Sequence, residues 1–196
     1  MTFILSILGI FIIWLLVTKI GPRLDASLPA TRVPKSGDHM SLVDLSNWLD
    51  QTEAEQHNLI ANTASHVAWA NENNPAITDY CFLYIHGFSA SWKETAPVTQ
   101  QLANHFDSNV VQGRLAGHGL ADDGMTASAE DWLQSVRDQY EIARRLGKKV
   151  IIVATSTGAP LGCCCCGCSR VSAGTIWRPA RGSGAVARPS RRWPRP

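Results

Sequence analysis

The pattern of apolar and polar positions predicts alternating strands and helices after residue 65. The segments 95–106 and 128–146 carry apolar residues at three- and four-residue spacing, which predicts amphipathic helices. Strands that alternate with helices through short connections favour an α/β fold class, with a doubly wound parallel sheet covered on both faces. Short apolar runs predict the buried strands at His66 to Ala70, Tyr80 to Ile85, Asn109 to Leu115 and Val150 to Val153.

An uncharged apolar run from Thr2 to Thr18 opens the chain. Its length predicts a transmembrane anchor over residues 1–20. A cleaved signal peptide is the alternative, but no Lys or Arg precedes the apolar run. Lys19 and Arg23 follow it, so the positive-inside rule favours a single-pass membrane protein with its body in the cytoplasm.

Residues 21–64 are predicted to form a juxtamembrane linker and a helix. The first part of this segment contains Pro22, Pro29 and Pro34, as linkers often do. From Ser41 the apolar residues Leu42, Leu45, Trp48 and Leu49 repeat at helical spacing.

Ser156 is the first candidate for chemistry, because it follows the last predicted strand directly. Small residues, Ala154 and Gly158, flank it at the spacing small-x-Ser-x-small. This spacing lets the chain reverse sharply and present the hydroxyl as a nucleophile. An ordinary turn rich in Ser and Thr is the alternative.

His86, Gly87 and Phe88 follow the second predicted strand and form the second candidate. A glycine lets the backbone approach a substrate, so that the N–H of Phe88 could point at an oxygen that develops negative charge. A tight loop without function is the alternative. A further glycine-rich loop begins at Ala116, and loops at the carboxyl ends of parallel strands meet at one edge of the sheet.

Three motifs together resemble the first half of the α/β-hydrolase superfamily, nearest to its esterase, monoacylglycerol lipase and serine-aminopeptidase-like branch. They are Y-I-H-G-F-S-A-S at 84–91, R-L-A-G-H-G at 114–119 and A-T-S-T-G at 154–158. The resemblance implies a partial hydrolase domain over residues 65–161, that is, an incomplete doubly wound sheet.

The resemblance also implies an activity and its site. The protein would cleave carboxylic esters or lipids through an acyl-enzyme, without a cofactor or a metal, and with a small ester or lipid and the membrane as its partners. Ser156 would be the nucleophile, and the backbone N–H groups of Phe88 and Thr157 would bind the oxyanion. The residues implied to border the substrate are Gly87, Gly117 and Gly119.

The catalytic triad is incomplete in this sequence. In the family that the chain resembles, an acid and a histidine follow the nucleophile, yet no Asp, Glu or His follows Ser156. The order His118, Asp131, Ser156 matches that of chymotrypsin-like proteases, but a strand–helix alternation is the wrong scaffold for them. We therefore expect this chain to be inactive as written.

Residues 162–196 form an aberrant tail, which we expect to be disordered. They contain seven Arg and five Cys but no Lys, Asp or Glu. A repeated TGC codon would give such a cysteine run, and in the other frames the same repeat would give Ala or Leu, which are strong helix formers. This composition favours a frameshift near codon 162, which replaced a helix and the rest of the catalytic residues.

Two functional alternatives remain for the tail. The cysteines lack the spaced pairs of a zinc site, so no metal is expected. A basic tail on a truncated, non-enzymatic membrane protein could instead bind anionic lipid or nucleic acid. No recognisable nucleic-acid module supports the second ligand, so nucleic acid is not expected as a partner, and no pattern predicts an oligomeric state.

Overall fold

The computed structural model describes residues 2–20, 29–34, 40–121 and 124–166. The predicted disorder of the tail falls, beyond residue 166, outside the described residues. The described helices are α1 (Thr2–Ile20), α2 (Leu42–Ala54), α3 (Ala96–His105), α4 (Ala129–Leu146) and α5 (Gly158–Cys165). The described strands are β1 (His66–Ala68), β2 (Thr78–Ile85), β3 (Asn109–Gln112) and β4 (Gly147–Ala154).

The strands form one four-stranded sheet in the order β1-β3-β2-β4. β2 is central and runs parallel to both neighbours, and its last residue, Ile85, is in register with Ala154 of β4. β1 lies at one edge and runs antiparallel to β3. The predicted α/β class with a mostly parallel sheet is thus confirmed.

Helices cover both faces of the sheet because β2 is apolar on both sides. Leu83 and Ile85 belong to a large cluster with residues of α4 and α5, whereas Phe82 packs on the other face with Ala103 of α3. The side chains of β2 from Cys81 to Ile85 are at most 2% exposed. Burial of each large side chain contributes about 1.5–3 kcal/mol, so β2 anchors the fold.

Capping side chains define where two of the helices begin. Ser128 accepts a hydrogen bond from the Asp131 N–H, and the Asp131 carboxylate accepts one from the Ser128 N–H. This capping box confirms the predicted start of α4. Ser41 and Asp44 form the same arrangement at α2, and each capping side chain contributes about 1 kcal/mol.

The N-terminal run is helical from Thr2 to Ile20. Within the described residues, however, no helix is both long and apolar enough to cross a membrane. The transmembrane anchor predicted for residues 1–20 is corrected accordingly. The membrane location and the cytoplasmic body stay predictions.

Residues 29–34, within the predicted linker, pack against α4. The Asp138 carboxylate accepts hydrogen bonds from the Arg32 side chain at 2.7 Å, the Arg32 N–H at 2.8 Å and the Thr31 hydroxyl at 3.0 Å. Val33 beside them is 2% exposed. This part of the linker therefore belongs to the folded body.

Helix α5 continues through the cysteine run, four residues beyond the predicted boundary at residue 161. It packs against α4, and both Leu161 and Cys165 are buried in the large cluster. Burial raises the pKa of the Cys165 thiol to about 12. The expected loss of this helix is thus wrong up to Cys165, because small apolar cysteines at helical spacing can still cover the sheet.

Candidate active site

Ser156 lies at a sharp turn between β4 and α5, and its backbone is strained. Its φ is 47°, in the left-handed region that costs a non-glycine residue about 1–2 kcal/mol. The side chain is exposed. The Ala159 N–H donates to the Ser156 carbonyl at 3.0 Å, which closes the turn into the helix. The turn therefore presents the Ser156 hydroxyl outward from the end of a rigid strand.

Close contact between this turn and β2 requires a glycine at position 158. A Cβ at Gly158 would lie 2.3 Å from the carbonyl oxygen of Ile85 and 2.7 Å from that of His86. Both contacts are with backbone atoms, so neither neighbour can rotate away. The small residue that the sequence places two positions after Ser156 thus holds α5 against β2.

His86 at the end of β2 is a buried structural histidine. Its Nδ1 lies 2.7 Å from the Gly87 carbonyl oxygen, and its Nε2 lies 3.0 Å from the backbone N of Leu115. The carbonyl must accept and the amide must donate, so the ring is neutral with its proton on Nδ1. Burial lowers the pKa of His86 to about 4. His86 therefore links the loop at Gly87 to the loop at Leu115.

The loops at Phe88 and Ser156 adjoin each other, as predicted. They follow neighbouring parallel strands, and a Cβ at Gly87 would lie 3.4 Å from the Ser156 Cβ. Among the described residues, neither the N–H of Phe88 nor that of Thr157 donates a hydrogen bond. Both donors predicted for the oxyanion are thus unused beside the serine.

Glu94 contributes to this region, and the sequence reasoning missed it. Its Oε2 accepts hydrogen bonds from the Gly87 N–H at 3.2 Å and from the Tyr84 hydroxyl at 3.1 Å. The same hydroxyl lies 3.1 Å from the Thr155 Oγ1. The phenol hydroxyl of Tyr84, placed between Leu83 and Ile85 at the buried end of β2, was the available signal. This network joins the residues that precede Phe88 and Ser156.

The glycine-rich loop is held by a buried ion pair, which the sequence reasoning also missed. The Arg114 guanidinium bonds both oxygens of Glu53, at 2.6 and 3.1 Å, and donates to the His118 carbonyl at 2.9 Å. Side chains of the pair are 5% and 9% exposed. Gly117 and Gly119 have φ values of 72° and 69°, so this loop takes a shape that glycine favours. The pair fixes α2 to the loop.

A cleft of about 570 Å³ opens beside these loops. Gly117 and Gly119 line it, as the resemblance implied for residues at the substrate. The described residues that line the cleft do not include the other predicted site residues, which are Gly87, Phe88, Ser156 and Thr157. Apolar and polar groups both contribute to its wall: Ile60, Thr63, Ser89, Ala90, Ser91, Lys93, Glu94, His118, Leu120 and Met125.

His118 lies under the ring of Phe88 and has no contact with Asp131. Its ring packs against His86, Phe88 and Trp132, with centroids 5.0 to 6.0 Å away. Its Nδ1 bonds the Ala116 carbonyl oxygen at 3.1 Å, while the buried Nε2 has no partner in the described part of the chain. Burial lowers the pKa of His118. Asp131 instead caps α4, so the alternative His118, Asp131, Ser156 triad is not assembled.

The comparisons add no relative to this description. No protein-family model matches the sequence, and a search of curated proteins finds no significant match. Within residues 2–20, 29–34, 40–121 and 124–166, no group of three His, Cys, Asp or Glu side chains could hold a metal ion. Any functional assignment therefore depends on the motifs and on the geometry around Ser156.

Proposed function

We propose that this chain derives from a serine hydrolase of the α/β-hydrolase type that acts on carboxylic esters or lipids. Ser156 would attack the ester carbonyl, and the N–H groups of Phe88 and Thr157 would stabilise the tetrahedral oxyanion. The cleft beside Gly117 and Gly119 would hold part of the substrate. The protein would encounter this substrate at a membrane.

The observation that carries the proposal is the conformation of Ser156. An exposed serine with a φ of 47°, between a parallel strand and a helix, is the geometry of a nucleophile elbow. Strained backbone of this kind persists where the surroundings force it, and such residues cluster at functional sites. Ser89, an exposed serine with a φ of 56°, lies in a loop, whereas Ser156 lies directly between a parallel strand and a helix.

The proposal also explains why this chain, as written, should lack hydrolase activity. No acid or histidine follows Ser156 in the sequence, and the neutral His86 uses both ring nitrogens in structural bonds. A serine without a base is a poor nucleophile. The oxyanion donors alone would retain about 10³–10⁴-fold catalysis over water in a comparable triad enzyme.

A fluorophosphonate probe tests the proposal, because it labels activated serines. We expect no labelling of Ser156 in the chain as written. We expect labelling, together with hydrolysis of short-chain nitrophenyl esters, once the reading frame after Leu161 is restored. Ser156→Ala in the restored chain should abolish both signals.

The matched control is Ser89→Ala in the restored chain. Ser89 is a second serine with a positive φ, 56°, and it lines the same cleft. This variant should still be labelled. Labelling of the restored chain that survives Ser156→Ala would refute the assignment of the nucleophile, and strong labelling of the chain as written would refute the inferred frameshift.

A further inference from the structure

Strand β4 forms an open edge of the sheet. Among the described residues it pairs with β2 alone, whereas the opposite edge is the short strand β1. β4 has eight residues without a proline or a bulge. Proteins commonly protect edges with short strands, prolines or outward charges, because an open edge recruits another strand. This edge carries none of these along Val150 to Ala154.

The two lysines at the start of β4 do not protect it either. Lys148 forms an ion pair with Asp79 at 2.7 Å, and the ammonium of Lys149 lies 5.7 Å from the centre of the Tyr80 ring. Both side chains are therefore directed to residues of the neighbouring strand β2. The backbone groups on the open side of β4 remain available.

The direction of these backbone groups follows from one hydrogen bond. The Thr155 N–H donates to the Ile85 carbonyl at 3.1 Å, across the β2 side. Because successive residues of a strand alternate, the odd-numbered residues bond β2, and the even-numbered ones present their N–H and C=O outward. The outward-facing residues are Lys148, Val150, Ile152 and Ala154.

We propose that β4 pairs with β4 of a second copy of this chain, antiparallel about a two-fold axis at Ile151. This register places Val150 opposite Ile152 and Lys148 opposite Ala154. Every outward-facing residue of β4 then joins a hydrogen-bonded pair, for about eight backbone bonds in all. A symmetric shift in either direction leaves one of these residues without its partner.

Side chains and charges are also self-complementary in this register. Val150 and Ile152 pack on the large-cluster face of the sheet, and Ile151 and Val153 pack on the other face. A two-fold axis perpendicular to the sheet preserves both faces, so each apolar row continues into the second copy. Lys149 lies opposite Val153 and about 13 Å from its own equivalent, beyond the screening length of about 8 Å.

Charge substitution at Val153 tests the pairing on the full chain. Val153→Lys places a like charge opposite Lys149 at both ends of the dimer, whereas Val153→Glu places an opposite charge there. Both variants put a charge at the same half-buried position, so they serve as matched controls for folding. We expect the dissociation constant of the dimer, measured by sedimentation in low salt, to be about tenfold higher for the Lys variant. The difference should shrink in 1 M salt.

Amide hydrogen exchange provides a second measurement that does not depend on the variants. The amides of Val150 and Ile152 should gain protection as the protein concentration rises, while those bonded to β2 should not change. A mass that stays near 21.4 kDa at high concentration, or equal association of both variants, would overturn the proposal. So would protection of Val150 and Ile152 that does not depend on concentration, since residues 167–196 would then pair with the edge.

Discussion

The loops that follow β2 and β4 adjoin each other, yet they are supported very differently. At the end of β2, His86 is fully buried and uses both ring nitrogens in hydrogen bonds, and Glu94 fixes the Gly87 N–H. At the end of β4, Ser156 is exposed and its backbone is strained. The first loop is therefore held by buried polar bonds, and the second mainly by the close packing of Gly158.

The two loops would therefore serve different parts of the proposed reaction, oxyanion binding and nucleophilic attack. Donors that stabilise charge must be fixed in place before the reaction, so they benefit from a rigid, buried support. A nucleophile must instead be exposed and must have a base, and here the sequence beyond Ser156 supplies neither Asp, Glu nor His. Under the proposed function, the described part of the chain would supply the oxyanion donors and would leave Ser156 without a base.

The largest loss of stability should come from removing the buried ion pair that holds the glycine-rich loop. Glu53→Gln leaves the Arg114 guanidinium buried without its charge partner, which costs about 3–5 kcal/mol of unfolding free energy. Asp79→Asn is the matched control, because its pair with Lys148 is exposed at 74% and 69%, so its loss should change stability little. Urea denaturation measures both. Equal losses would show that burial does not distinguish the two pairs.

Acid should lower the stability of the folded protein through His86, at the end of β2. Its pKa is 6.5 when unfolded and about 4 when folded, so the unfolded state binds more protons between these values. Stability should therefore fall as the pH drops from 6.5 to 4, by at most about 3 kcal/mol. His86→Gln keeps a donor and an acceptor but cannot titrate, so its denaturation midpoint should depend less on pH in this window. An unchanged pH dependence would argue against a neutral His86.

Packing around the turn after β4 can be tested by substitutions at two glycines. Gly158→Ala forces a Cβ to within 2.3 Å of the Ile85 carbonyl oxygen and should cost about 2 kcal/mol. Gly87→Ala is the matched control, since its Cβ would meet nothing closer than 3.4 Å. Thermal unfolding should separate the two variants. A neutral Gly158→Ala would mean that α5 does not press against β2.

The smallest effect should come from releasing the backbone strain at Ser156. Ser156→Gly removes the Cβ that disfavours a φ of 47° and should raise the unfolding free energy by about 1 kcal/mol. Ser156→Ala retains the Cβ, so it should give no such gain. If both variants are equally stable in urea, the backbone at Ser156 is not strained.

Local patterns predicted the elements of this fold well. The unbroken apolar runs at Tyr80 to Ile85 and Val150 to Val153 predicted buried strands, and both are strands. Val150 to Val153 are only half-buried, because β4 lies at the edge of the sheet. Ser128 and Asp131 form the predicted capping box. Because parallel strands bring their carboxyl ends together, the adjacency of the Phe88 and Ser156 loops was also predictable.

Contacts between distant residues were not predictable in the same way. Glu53 reads as part of an acidic helix end, and only the fold brings it to Arg114, 61 residues later. Glu94 likewise gains its role from Tyr84 and Gly87. Helix α5 extends to Cys165 because small apolar side chains can pack at helical spacing, which the unusual composition of residues 162–196 does not indicate.

Helix α5 has a consequence for how protein quality control would recognise this chain. Protein quality control acts on unfolded segments and on exposed apolar surface rather than on an unusual amino-acid sequence as such. With Leu161 and Cys165 buried, the segment from Gly158 to Cys165 offers little apolar surface for a chaperone or protease to recognise.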